Sequence, residues 1–172
     1  MRWLLRCAPA CAMCLVLGAP STGLAQSVSG DSNAATPAAG ALPDYHPSMG
    51  DLMTMAVQPR HIKLGLAGKR QNWTYARYEL SELRNAFART ARTIPKYQSW
   101  DTAAMATAMT QAPFGALDQA IEARNSTQFA AAYSQLTHAC NACHEALKHA
   151  AVVIKVPDAA MFPDQDFRPA PQ

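Results

Sequence analysis

From Met49 onward the apolar residues recur at helical spacing, in four runs separated by capping residues and prolines. In the first run Leu52, Met55, Ala56, Pro59, Ile62 and Leu66 step by three or four residues, and Met49, Met53, Val57 and Leu64 form an adjoining stripe. Asp51, Thr54, Gln58, His61 and Gly65 fall on the polar side. Pro59 predicts a kink or break near the middle, and Gly65 and Gly68 mark the fading end. The second run starts at Asn72, a good N-cap, and stops at Pro95. Its buried face is Trp73, Ala76, Leu80, Leu83, Phe87, Ala91 and Ile94, with Arg77, Glu79, Glu82 and Arg89 on solvated sides. The third, from about Asp101 to Arg124, is rich in alanine, which suits close approach to a neighbour, and Pro113 predicts a kink. Asn125-Ser126-Thr127 caps the fourth, whose face carries Phe129, Tyr133, Leu136, Cys140, Cys143, His144 and Leu147. Four amphipathic helices with short connections favour an all-α chain, an antiparallel four-helix bundle over residues 48–156. Residues 157–172 read as an extended tail. No strand-rich region, Gly-rich phosphate loop, nucleophile elbow or internal repeat interrupts the pattern.

The stretch before the first run is of a different kind. Arg2 and Arg6, the short apolar run Ala10 to Ala19 and the small residues Gly23-Leu24-Ala25 predict a secretory signal over 1–25, cleaved before Gln26. That run is too short to cross a bilayer, so no stable membrane span is expected after cleavage. Residues 26–47, rich in Ser, Gly, Ala, Pro and Asn, read as a flexible tether. Cleavage lowers the basic residues from 15 to 13 against 12 acidic ones, which gives no support for nucleic-acid partners. It also removes Cys7, Cys11 and Cys14 and leaves two cysteines, Cys140 and Cys143, in an oxidising, periplasmic compartment.

Those two thiols lie in Cys140-Asn141-Ala142-Cys143-His144, a C-x-x-C-H run. This is the signature of covalent c-type haem attachment. On a helix, positions 140, 143 and 144 share one face. Both sulfurs then reach the two vinyl groups of one porphyrin, while the His144 imidazole comes under the iron as proximal ligand. A thioredoxin-type pair expects a βαβ pattern that is not visible, and a zinc site expects a second Cys pair that the mature chain does not offer.

Cys140 to Lys148 (CNACHEALK), placed on the last of four helices, together with Arg60 followed by a polar residue on the first, resembles the class II c-type cytochromes, cytochrome c-prime and its low-spin relatives. The resemblance covers about residues 48 to 150. Small class I cytochromes c instead place the motif near the mature N-terminus. The resemblance implies one covalently bound haem c, with Arg60 meeting a haem propionate. Physically, Arg60 sits within an apolar arc and wants an anion, or else snorkels to solvent. In the family the residue facing the iron lies four after the arginine, which is Leu64 here, and an open or gas-binding iron follows. A half-turn adjustment at Pro59 would instead bring His61 inward as a metal ligand, and Met53 and Met161 are further candidates. The function expected is electron transfer with exported redox partner proteins, without catalysis of its own. The alternatives are a five-coordinate protein binding a diatomic gas such as nitric oxide, or a haem subunit of a larger periplasmic oxidoreductase. A homodimer is compatible with the resemblance.

Overall fold

The computed structural model describes residues 44–159 and 162–170. The signal expected over 1–25, the tether as far as residue 43, and Met161 lie outside the described residues. Helix accounts for 67% of what is described, against one two-stranded sheet, which places the chain in the all-α class. No helix among the described residues is long and apolar enough to cross a membrane.

The first helix, α1 (residues 49–69), runs in three pieces: an α-helical turn Met49–Leu52, a π-helical stretch Met53–Val57, and α-helix again over Gln58–Lys69. Ser48 and Asp51 form a reciprocal capping box at its start, with bonds of 3.1 and 2.8 Å. Pro59 has no amide to donate to the carbonyl of Met55, as an α-helix would require. The chain absorbs this with a wider turn, in which the Gln58 amide donates to the carbonyl of Met53, five residues back. The helix therefore continues instead of breaking. The extra residue in the turn also rotates everything after it. His61 and Gly65, which uniform helical counting puts on the polar side, are both buried.

The other helices begin where the sequence caps them. Asn72 opens α2 (Trp73–Thr93), Asp101 opens α3 (Thr102–Glu122) and Asn125 opens α4 (Ser126–Ala146), each accepting a bond from an amide three residues on. Three helix ends close alike. Gln71, Arg124 and Lys148 take positive φ (55°, 51° and 63°), and the next amide reaches five residues back to the carbonyls of Ala67, Ala120 and His144. Between α2 and α3 a hairpin pairs β1 (Lys96–Tyr97) with β2 (Trp100–Asp101), an element the helical pattern did not announce.

Each helix packs on the next, and α4 also meets α1. Leu64, Leu80, Leu83, Leu117, Ile121 and Leu136 are buried at the common core. Gly65 and Gly68 fall in the closing turns of α1, which ends at Lys69, and they have a packing role as well. They lie under the rings of Tyr133 and Phe129, where a Cβ would collide with aromatic atoms. Glu79, expected on a solvated side, is fully buried, for reasons given below. The described residues of the tail have no regular structure, and several of them pack on the helices. Phe167 packs with Ile62 and Leu66, Gln165 donates to the Tyr75 hydroxyl at 2.6 Å, and the Asn72 amide donates to the carbonyl of Arg168 at 3.0 Å.

Gly68→Ala is expected to lower stability by about 1–3 kcal/mol through overpacking against Phe129. Gly115→Ala, at an exposed point of α3 with open space around it, is expected to raise stability by about 1 kcal/mol. Thermal melts of the two variants should move in opposite directions; the same sign for both would refute the close approach.

Candidate functional site

The end of the molecule that carries the C-x-x-C-H motif holds a cavity of about 290 Å³, near the lower bound of ligand pockets. Its α1 wall is a stripe at four-residue steps: Met49, Met53, Val57 and His61. The π-helical stretch takes more residues per turn, which keeps these steps on one face. The hairpin contributes Tyr97 and Trp100, and α3 contributes Thr102, Met105 and Met109. Cys140, Cys143 and His144 line the same cavity from α4, joined by Leu147 and Val152 beyond it. Among the described residues, no Asp, Glu, Lys or Arg lines it.

The three motif residues are brought together by the helix alone, through offsets of three and four. What the rest of the fold adds is the orientation of His144. Its Nδ1 lies 2.6 Å from the carbonyl oxygen of Val152. A carbonyl can only accept, so Nδ1 carries a proton, and in the neutral ring the lone pair is on Nε2. Val152 is held there because Asn141, inside the motif, pairs in both directions with the backbone of Ile154, at 2.8 and 2.7 Å. The motif thus fixes the segment that fixes its histidine.

The two thiols are not built as reactive ones. They sit in the last turns of α4, at the helix's negative end, where the dipole opposes a thiolate. Burial pushes the Cys140 thiol up to about 11 and raises that of Cys143 as well. The Cys143 sulfur rests 3.4 Å from the sulfur of Met105. A zinc site would need further ligands, and among the described residues no three His, Cys, Asp or Glu side chains gather to hold a metal ion.

A porphyrin fits what is present. Two thiols and an imidazole with a free Nε2 open on one apolar, uncharged cavity. Thr102 Oγ1, on its wall, is buried without a hydrogen-bond partner among the described residues, a polar atom that an occupant with an oxygen would satisfy. Cys140 and Cys143 would hold the group by thioethers and His144 by Nε2; when bound it supplies a one-electron iron couple.

The remaining candidates separate. His61 is on the cavity wall, only 3% exposed, and burial pushes its imidazole down to about 4, so it is neutral. Its Nδ1 lies 3.0 Å from the Tyr133 hydroxyl and its Nε2 lies 3.1 Å from the Thr137 hydroxyl. Met53 also lines the cavity. Leu64 does not: it lies nearly a turn further along α1, fully buried in the core. Arg60 does not line it either. Arg60 binds both oxygens of Glu79 at 3.3 Å and approaches Glu82 at 3.6 Å, so the anion its surroundings call for comes from α2. That pairing is also why Glu79 is buried. Sequence reasoning passed over Tyr97, Trp100 and Thr102, which reach the cavity through a hairpin that no periodic pattern marks.

Set against models of known families, curated proteins and solved structures, the chain matches none.

Arg60→Ala should leave the Glu79 carboxylate buried and alone, a loss of about 3–5 kcal/mol in denaturant unfolding. Glu82→Ala, on the partly exposed partner, should change stability by about 1 kcal/mol or less. Equal effects would show that the Arg60–Glu79 pair is not the buried contact that matters.

Proposed function

We propose that this chain is an exported, monohaem c-type cytochrome of class II type, an antiparallel four-helix bundle that carries electrons between periplasmic redox proteins. The observation that carries the reading is the convergence of Cys140, Cys143 and the Nε2 side of His144 on one apolar cavity. The bundle reading is supported by the contacts between α1 and α4. His61 meets Thr137, Gly65 meets Tyr133 and Gly68 meets Phe129, so the partners descend along α4 as they climb along α1. Export is supported by the basic, apolar and small-residue regions at the N-terminus.

The protein's own residues have limited tasks in such a carrier. Cys140 and Cys143 anchor the group, and His144 ligates it with its tautomer fixed by Val152. Val57, Phe87, Met105 and Leu147 exclude water, which keeps the site's dielectric low and its reorganisation small. Trp100, which is 46% exposed, and the outer face of Val152 put part of the cavity wall at the surface, where a redox partner can approach. A gas-binding role drew its support from Leu64 facing the iron, and Leu64 lies away from the cavity, so electron transfer is the reading favoured.

The test is expression with haem maturation in a periplasm. The colour should stay with the polypeptide through acid-acetone extraction, and the protein should cycle reversibly between oxidised and reduced spectra. Cys140→Ala with Cys143→Ala should lose the retained colour, and His144→Ala should lose the normal iron spectrum or fail to mature. Complete extraction of colour from the wild type would end the proposal.

A further inference from the structure

The hydrogen-bond network around His61 has one proton too few to occupy every acceptor, and the place where it falls short is informative. The Tyr133 hydroxyl donates its single proton to the backbone carbonyl of His61, at 2.7 Å. Its oxygen is then an acceptor towards His61 Nδ1, 3.0 Å away, so Nδ1 carries the ring proton. Nε2 is left with a lone pair. The donor within reach is the Thr137 hydroxyl, at 3.1 Å, and that same hydroxyl has a second acceptor in the carbonyl of Tyr133, at 3.0 Å. Thr137 can therefore give up His61 without losing a bond. At His61, as at His144, an oxygen faces Nδ1, which places the lone pair of the neutral ring on Nε2.

The two rings also share a setting. Both line the cavity, from α1 and from α4. Thr137, Cys140 and His144 step along one face of α4 by three and four residues, so the hydroxyl that touches His61 lies on the face that carries the motif. Met49, Met53 and Met109 line the cavity too, as flexible thioethers with no such fixation at their sulfurs, while the Met105 sulfur is met by that of Cys143 at 3.4 Å.

From this we infer that His61, through Nε2, is the second axial ligand of the haem iron, opposite His144, with Tyr133 as the residue that positions its ring. The inference rests on the haem reading above. It makes the iron six-coordinate with two imidazoles, closed to a diatomic gas in the resting state. With Nε2 engaged elsewhere, the Thr137 hydroxyl would still have the Tyr133 carbonyl as its acceptor, at 3.0 Å.

The test uses the matured, full-length protein. The wild type should give a low-spin ferric spectrum without the far-red absorption of a methionine–iron bond. His61→Ala should become high-spin and regain the low-spin spectrum with added imidazole. His61→Met should acquire the far-red methionine band. Thr137→Val should stay low-spin, while Tyr133→Phe should shift the midpoint potential. A high-spin wild type, a methionine band in the wild type, or an unchanged low-spin spectrum in both His61→Ala and His61→Met would each overturn the assignment. If His61→Ala does not fold, the wild-type spectrum and His61→Met still decide. Loss of covalently retained colour in the wild type would instead overturn the haem reading itself, so the two failures are distinct.

Discussion

The close approach of α1 to α4 is the constraint on which the rest depends. Gly65 and Gly68 present no Cβ to Tyr133 and Phe129, so the two aromatic rings lie directly on the backbone of α1. With a side chain at either position, the helices must separate or the rings must turn. Separation would draw His61 away from Tyr133 and Thr137, and with it one wall of the cavity. The same approach buries Leu64 and Leu136 in the common core. Packing at the centre of the molecule and geometry at its C-x-x-C-H end are set by one contact.

What was legible in the sequence was local. Asn72, Asp101 and Asn125 act within three residues of themselves, so the starts of α2, α3 and α4 are readable from composition and spacing. The C-x-x-C-H face is readable for the same reason, since one helix brings Cys140, Cys143 and His144 together without help from the fold. Pro59 was legible as a disturbance but not in its outcome. The missing amide is consistent with a break, a kink or a wide turn, and which one forms depends on the packing that the downstream residues gain. With the π-helical turn in place, His61 and Gly65, which uniform counting puts on the polar side, are buried.

The errors of reading follow from the same distinction. Glu79 looks solvated along its own helix because its partner, Arg60, is on another. A residue's polarity predicts exposure only if no counter-ion comes from elsewhere in the fold. The tail read only as extended because Phe162, Gln165 and Phe167 have no periodic pattern, and their contacts with Lys63, Tyr75 and Ile62 cross the chain. Tyr97 and Trp100 were invisible for want of a strand long enough to show alternation.

The distal residue is the instructive case. Counting four residues from Arg60 reaches Leu64, and counting assumes that the helix has one phase from end to end. The π-helical turn changes the phase only of the residues before it relative to those after, and the step from Arg60 to Leu64 lies within one α-helical stretch. Arg60 itself, however, is turned to α2 by two carboxylates. The arginine therefore loses its value as a ruler, because the anion that orients it belongs to the protein. The stripe that does face the cavity, Met49 to His61, can be found only after the wide turn is known. Within it, hydrogen-bond inventory discriminates where periodicity cannot. A thioether at Met53 is free to turn in several directions, but the ring of His61 has its proton, its tautomer and its plane assigned by Tyr133 before any ligand arrives. Preorganisation of that kind is costly in a buried network unless every member is satisfied, and the lone pair at Nε2, sharing the Thr137 proton with a backbone carbonyl, is the member satisfied least.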